Sequence, residues 1–363
     1  MKKLLVVVGT RPNFVKVTRF KEVARARGDF SVELVHTGQH TDVRMSTVFF
    51  EQFGLAPDHT LVIPGGSPAA RLGHLIVALE AVIRSSAPDA VVVVGDVDST
   101  LAAALAADRL RIPLVHVESG LRNGDMTMIE EMNRILTDRI ADHCFTTEPS
   151  AVENLLREGK DPDSIHFVGN TMIDTLVAFE DRIAASGVLG ELELEPQGHV
   201  LITIHRPVNV DTKEALDRVI DLIALVGKQY KMVFPVHPRT MNNLERLGLD
   251  GRLREVTGLT IAPPADYFAF QKLIATSAFV ITDSGGVQEE TTYRGIPCLT
   301  LRASTERPVT LLEGTNELVS FDLDAVSHAM VRIRSGAFKQ GRVPALWDGH
   351  ATERVFDVLN HVL

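Results

Sequence analysis

The sequence predicts an α/β fold made of two Rossmann-like, doubly wound parallel-sheet domains that face a cleft. Three observations carry this expectation. Short apolar runs of strand length alternate with amphipathic segments of helix length along almost the whole chain. The runs are β-branched and apolar throughout, the pattern of strands covered by helices on both faces. The alternation also breaks once, near 170–198, and restarts at HVLITI, which divides the 363 residues into two units of ordinary domain size.

In the first half the strand candidates are LLVVVG (4–9), VELVHT (32–37), AVVVVG (90–95), LVHVES (114–119), HCFTT (143–147) and IHFVG (165–169). In the second they are HVLITI (199–204), MVFPV (232–236), LTIAP (259–263), AFVIT (278–282) and CLTLR (298–302). Helical periodicity fills the intervals 13–27, 68–86, 98–109, 130–141, 171–185, 211–229 and 284–294. The segment VLGELELEPQG is acidic and weakly periodic, so the predicted domains are 1–170 and 171–346. Parallel α/β sheets bind ligands at the carboxyl ends of their strands, so function is sought there.

Composition narrows the classes. Hydrophobic residues at 45% and charged residues at 23% exclude a disordered chain. Lys+Arg 37 against Asp+Glu 47 gives a net charge of −10, the wrong sign for nucleic-acid binding, although a nest of backbone N–H groups can still hold a small phosphorylated ligand. The apolar run Leu4 to Val8 is too short for a signal peptide, and no stretch reaches the ~18 apolar residues of a membrane span. The expectation is a cytoplasmic protein with no membrane partner. Cys144 and Cys298 read as buried, reduced thiols. His36, His40, His116, His205 and His237 lack metal-ligand spacing, so neither a metal nor a cofactor is expected.

The strand ends concentrate chemistry. GTRPN (9–13) offers Arg11 to a phosphate, or is an ordinary βα turn with a surface arginine. GDVDST (95–100) places Asp96 directly after a strand, with Asp98 or Ser99 as the expected cap of the next helix. HVESGLR (116–122) brings Glu118 to the adjacent strand end and Arg122 just beyond it. In EEMNR, Glu130 and Glu131 open a helix whose dipole favours carboxylates. Asp96, Glu118 and Glu130 are therefore expected to converge, an arrangement suited to acid/base work. His205 follows a strand as either a general acid, a phosphate contact or a structural histidine, and Asp211 is the expected cap of the following helix. AFVITDSGGVQEE (278–290) feeds a strand into Ser284, Gly285 and Gly286 at a helix start, a diphosphate cradle, with Glu290 one turn on to accept ribose hydroxyls. Tyr267, Phe268 and Phe270 in PPADYFAFQKL can pack against a base, with core packing the expected role of at least one of them.

In this order GTRPNFVK, TGQH, GDVDST, HVESGLR, EEMNR, VGNTMID, HRPVNVD, HPRT, TDSGGVQEE and TERP closely resemble the non-hydrolysing UDP-N-acetylglucosamine 2-epimerases, from residue 4 to about residue 320. The resemblance implies a glycosyltransferase-B-like fold, a homodimer, a UDP-sugar substrate and a last helix, about 347–363, that rejoins the first domain. It implies that Asp96, Glu118, Glu130 and His205 are catalytic. Arg11, Lys16, Arg122, Phe270, Ser284, Gly285, Gly286, Glu290 and Arg302 are the substrate-binding residues it implies, with Arg11 and Ser284 to Gly286 on the diphosphate, Glu290 on the ribose and Phe270 near the uracil. The reaction so implied eliminates UDP to a 2-acetamidoglucal and re-adds it after C2 is reprotonated on the opposite face, supplying surface polysaccharide synthesis.

The sequence departs from the family pattern at Ile129, where proline is common, and at Val208, where glutamate is common. Gln39 is present, but Asp42 replaces a second glutamine associated with activation by substrate. The alternatives are a hydrolysing 2-epimerase, a 2-epimerase of a modified UDP-2-acetamido sugar, a retaining glycosyltransferase and a nucleotide-sugar sensor. The glycosyltransferase leaves the three first-domain carboxylates without a role, and the complete catalytic set argues against the sensor.

Overall fold

The computed structural model describes residues 1–38 and 50–363, and of Arg11 the backbone alone. Gln39, His40 and Asp42 lie outside the described residues. The described chain forms two compact units, Met1–Ala178 with Ala345–Leu363, and Phe179–Pro344.

The first unit is built on β1 (Lys2–Val8), β2 (Phe30–His36), β3 (His59–Thr60), β4 (Ala90–Val94), β5 (Leu114–Val117), β6 (His143–Thr146) and β7 (Ile165–Phe167), in the order β3-β2-β1-β4-β5-β6-β7. The second holds β8 (His199–Thr203), β9 (Lys231–Pro235), β10 (Leu259–Ala262), β11 (Phe279–Thr282), β12 (Cys298–Thr300) and β13 (Asn316–Leu318), in the order β10-β9-β8-β11-β12-β13. The strand pairings within each sheet are parallel. In both sheets the order reverses at the first strand, between β1 and β4 and between β8 and β11, the switch points at which doubly wound folds bind ligands.

The central strands are apolar along their length because both faces are covered: Leu4 to Val8 and Ala90 to Val94 are buried throughout. Beneath β4, helix Asp98–Leu110 presents Ala102, Ala103, Ala106 and Ala107 to the core with Leu5, Val7, Val91 and Val93. Small side chains let this helix pack closely against helix Pro68–Ser86. In the second unit, helix Lys213–Gly227 contributes Leu216, Val219, Ile220 and Ile223 to a core shared with β8, β9 and β11.

The return segment is firmly seated in the first unit. Asp174, in helix Thr171–Ala178, accepts hydrogen bonds from the Ala351 and Thr352 N–H groups at 3.0 and 2.5 Å and from the Thr352 hydroxyl at 2.6 Å, capping helix Ala351–Val362. Such a long-range cap satisfies donors that a helix start leaves open. Phe356 meets Phe20 and Phe30 edge-on at 5.6 and 5.2 Å, and buried Trp347 donates its indole N–H to the Thr147 carbonyl at 2.9 Å.

Several local expectations are corrected. The predicted 13–27 helix is two, Arg11–Val17 and Phe20–Arg27, and the 171–185 helix breaks at Phe179 into Thr171–Ala178 and Glu180–Ala184. Neither Asp98 nor Ser99 caps helix Asp98–Leu110; Val97 holds that position, and Asp98 is already helical. Thr212, not Asp211, caps helix Lys213–Gly227, its side chain accepting from the Ala215 N–H at 3.2 Å. Asp211 instead pairs with Arg239 at 2.5 Å. Both cysteines are buried, and burial pushes the Cys144 and Cys298 thiols up to about 12 and about 11.

Candidate active site

At the carboxyl end of β1, Asn13 organises the turn. Its Oδ1 accepts from the Thr10 N–H at 3.1 Å and the Thr10 hydroxyl at 3.0 Å, while its Nδ2 donates to the Val94 carbonyl at 3.0 Å. The first turn is thereby tied to the end of β4. Arg11 opens helix Arg11–Val17, and its side chain is outside the described residues. One turn on, buried Lys16 forms a close ion pair with buried Glu118 at the end of β5. Gly95 sits among these groups: a β-carbon there would lie 3.2 Å from Asn13 Nδ2, 3.5 Å from Lys16 Nζ and 4.0 Å from Glu118 Oε1.

Asp96 follows Gly95 and remains 23% exposed, its carboxylate in a close ion pair with Arg134. Arg134 is buried and holds Glu131 with its other guanidinium nitrogen. Asn133 adds a hydrogen bond from Nδ2 to the Asp96 carbonyl at 3.0 Å. Glu131 itself accepts from the Asn123 and Gly124 N–H groups at 2.9 and 2.8 Å. The structure thus gathers Lys16 and Glu118 around the Gly95–Asp96 turn, and it leaves Glu130 exposed in the first turn of helix Ile129–Ile140. Ile129, one residue earlier, is also exposed.

Arg122, an expected substrate contact, has carboxylate partners of its own. Its guanidinium lies 2.7 Å from Asp138 and makes a two-pronged contact with Glu158 at 2.7 Å, so its directional donors are already engaged. Arg302 is likewise engaged, pairing with buried Glu306 at 2.7 Å.

In the second unit the residue that organises the β8 turn is Asp283, which follows β11. Its carboxylate accepts from the His205 N–H at 3.1 Å, the Arg206 N–H at 2.9 Å and Asn209 Nδ2 at 2.8 Å, and lies 3.2 Å from His205 Nδ1. Burial pushes the Asp283 carboxyl up, but these bonds, with His205 foremost, hold it below the usual carboxylate range. The His205 side chain stays 41% exposed while its base is fixed.

Ser284 precedes helix Gly285–Arg294 with extended backbone, its hydroxyl unused as a cap. Its N–H already donates to the Thr282 hydroxyl at 3.0 Å, so the cradle expected here draws on the later N–H groups and the Ser284 side chain. Gly285 has a second reason to be glycine: a β-carbon would lie 2.6 Å from Arg307 NH1 and 2.9 Å from Glu306 Oε1. Arg307 joins Glu306 in a close ion pair and Glu289 at 3.0 Å, so the TERP motif packs directly under the helix start. Gly286 is the second residue of that helix.

Glu290 is buried in the second turn of this helix. Burial pushes its carboxyl up to about 8, overcoming Arg294, with Glu289 adding to the rise and Gln271 opposing it. A protonated acid can both donate and accept, which matches a pair of sugar hydroxyls. Phe270 is half-buried in the first turns of helix Tyr267–Ala275, against the core that includes Leu273 and Val287. Phe268 is buried beneath the Arg182 guanidinium at 4.2 Å, and Tyr267 is buried, leaving Phe270 the more accessible ring of the three.

Sequence reasoning missed Asp283, Arg134 and Arg307 as site-forming residues. The signals were present in TDSGG, EEMNR and TERP, but each acts through a partner far along the chain. Val208 lies exposed beside this region in helix Pro207–Val210. Among the described residues no cluster of metal-ligating side chains is present, and none of their helices is long and apolar enough to cross a membrane.

Residues 22–360 match the family model described as UDP-N-acetylglucosamine 2-epimerase. A UDP-N-acetylglucosamine 2-epimerase of Methanococcus maripaludis is 35% identical, with 92% of each chain covered. A UDP-2,3-diacetamido-2,3-dideoxy-D-glucuronate 2-epimerase of Pseudomonas aeruginosa is 36% identical, covering 98% of this chain and 99% of that one. The crystal structure of Methanocaldococcus jannaschii UDP-GlcNAc 2-epimerase in complex with UDP-GlcNAc and UDP superposes with a TM-score of 0.89 at 33% identity, covering 99% of each chain.

Proposed function

The chain belongs to the UDP-N-acetylglucosamine 2-epimerase family and is a nucleotide-sugar 2-epimerase, an isomerase; from that premise we propose that it interconverts UDP-N-acetylglucosamine and UDP-N-acetylmannosamine by eliminating and re-adding UDP. The observation that carries the mechanism is the pair of carboxylates at adjacent strand ends, Asp96 held by Arg134 and Glu118 by Lys16, on either side of the Gly95 turn.

The C2 proton of the sugar is weakly acidic, and its removal is coupled to loss of a good leaving group at C1. A carboxylate takes the proton, the C2–H electrons form the C1–C2 double bond, and the C1–O bond breaks with its electrons going to UDP. Return of a proton to the opposite face of C2 and of UDP to C1 gives the epimer with no net change of atoms. Asp96, Glu118 and Glu130 are the groups assigned to proton transfer at C2, and His205 is assigned as a further catalytic residue. Arg11, the Ser284 hydroxyl and the backbone of Gly285 and Gly286 hold the diphosphate, Glu290 the ribose and Phe270 the uracil. Lys16 is assigned to orient Glu118. Arg122 and Arg302, occupied by carboxylates, are assigned to holding the turns rather than to substrate. A homodimer fits the exposed apolar row Ile129, Met132 and Leu136 on helix Ile129–Ile140. The product is assigned to surface polysaccharide synthesis.

The Pseudomonas relative supports a second reading in which the sugar is a 2,3-diacetamido uronate, since its identity over the chain matches that of the N-acetylglucosamine epimerase. Incubating both UDP-sugars in heavy water and following them by NMR separates the readings. Deuterium at C2 of intact UDP-N-acetylglucosamine, with both epimers at equilibrium, is the expected result. Faster labelling of the uronate reassigns the substrate, irreversible release of UDP makes the enzyme hydrolysing, and no label in either sugar removes the mechanism.

A further inference from the structure

We propose that Asp138 and His116 form a buried positioning pair that sets both Asp96 and Glu118 in place; the inference rests on the assignment of those two as the proton-transfer carboxylates. Asp138 lies in helix Ile129–Ile140 and His116 in β5, and both are buried. The Asp138 Oδ1 is 2.6 Å from His116 Nδ1. Its Oδ2 accepts from the Gly120 N–H at 3.0 Å and faces Arg122 at 2.7 Å. One carboxylate therefore grips residues 116, 120 and 122, on both sides of Glu118.

Between these grips Glu118 adopts φ +67, a left-handed conformation that a residue with a long side chain keeps only where its surroundings impose it. The strain sits on a proposed reacting group, and the clamp that sustains it is Asp138. His116 extends the clamp to the neighbouring strand. Its Nε2 lies 2.8 Å from the Gly95 carbonyl oxygen, and Gly95, at φ +69, directly precedes Asp96. The pair thus holds the backbone on both sides of Glu118 and the peptide that aims Asp96.

The ring of His116 spans two partners, Asp138 and the Gly95 carbonyl. Burial pushes the Asp138 carboxyl up, but His116 and then Arg122 hold it below the usual range, so it meets the ring as a carboxylate. A carboxylate and a carbonyl only accept, so each ring nitrogen of His116 faces an acceptor on a different element. The other groups facing Asp138 are Lys160, whose Nζ donates to its carbonyl at 3.0 Å, and the Cys144 thiol at 3.9 Å from the same oxygen. The mechanism uses none of these groups directly. Their contacts end on the backbone of its carboxylates.

The test compares Asp138→Asn, His116→Phe and His116→Gln with Asp96→Asn and Glu118→Gln in the full-length enzyme. A displaced reacting group costs about 10²-fold, so Asp138→Asn and His116→Phe should lower kcat by that order while KM and UDP affinity change less than about threefold. His116→Gln places an amide N–H near the position of Nε2, so it should recover about tenfold of the His116→Phe loss. Retention of kcat by the Asp138 and His116 variants, with Asp96→Asn and Glu118→Gln inactive, overturns the positioning role alone. Turnover by Asp96→Asn and Glu118→Gln overturns the assignment beneath it. A parallel fall of kcat and UDP affinity in Asp138→Asn and His116→Phe shows a general structural role instead. Should Asp138→Asn and His116→Phe not fold, the milder His116→Gln decides alone: kcat about tenfold below wild type with UDP affinity unchanged is expected, and wild-type kcat overturns the bridge.

Discussion

The strand ends of the two units treat acidic side chains in different ways. In the first unit Glu118 is matched with Lys16, Asp96 and Glu131 with Arg134, and Asp138 with His116 and Arg122. In the second, Asp283 is matched with His205 and the Glu306–Glu289 pair with Arg302 and Arg307, but Glu290 is governed by burial and rises to about 8. The difference separates two tasks for one functional group. Proton abstraction calls for a carboxylate that carries charge, and partner cations favour that form. An acid close to a diphosphate repels it when charged, so a neutral carboxyl that still forms hydrogen bonds is the better neighbour for a ribose.

The sharpest test of that division is Glu118→Gln or Asp96→Asn. Each amide keeps the shape and loses the proton exchange, and kcat should fall about 10²–10⁴-fold. UDP affinity, measured by calorimetry, should stay near wild type because the proposed cradle is in the other unit; an equal loss of UDP binding breaks the comparison. Next in size is Asp283→Asn. An amide turns one acceptor into a donor facing the His205 and Arg206 N–H groups, and loss of charge-assisted bonds of this kind costs roughly 2–3 kcal/mol. Urea unfolding should show that loss, and a tenfold-lower kcat, about 1.4 kcal/mol of barrier, should accompany it as the His205 turn loosens; wild-type stability removes Asp283 as organiser.

The smallest effect on turnover is expected from Glu290→Gln, whose signature lies in stability against pH. The folded carboxyl titrates at about 8 against an ordinary 4.5, so the folded state holds the proton more tightly than the unfolded chain does. The stability this confers is complete below the unfolded value and is lost as pH rises through the folded one. Gln has no such loss. The Tm advantage of Glu290→Gln should therefore widen between pH 4.5 and about 8 and then level off, at about 2–4 °C for each kcal/mol. A gap independent of pH removes the neutral acid.

The sequence disclosed the parts of the fold that follow from continuous local pattern. β4 and β8 were legible because AVVVV and HVLIT admit few other readings. β3 and β13 were not, being edge strands of two and three residues whose pairing is set by β2 and β12 rather than by their own side chains. The helix breaks at Thr18–Arg19 and Phe179 carry neither glycine nor proline, so tertiary packing sets them. At the site, residue types at strand ends were legible and their partners were not. Arg122 looked available until Asp138 and Glu158 were seen on its guanidinium, and Gly285 looked shaped for a ligand alone until Arg307 and Glu306 were found beneath it. The Arg302–Glu306 pair, four residues apart, and the Arg134–Glu131 pair, three apart, did leave a trace in local spacing.

The return of Ala345–Leu363 to the first unit gives the chain an order of assembly on the ribosome. The second unit is one unbroken stretch, Phe179–Pro344, and is complete as soon as that stretch has emerged. The first unit begins earlier and finishes later. At about 5–20 residues per second, its body waits on the order of ten to thirty seconds for the helix that Asp174 caps and that covers Phe20 and Phe30. During that interval the half bearing the proposed proton-transfer residues has an open apolar flank while its younger neighbour is already closed.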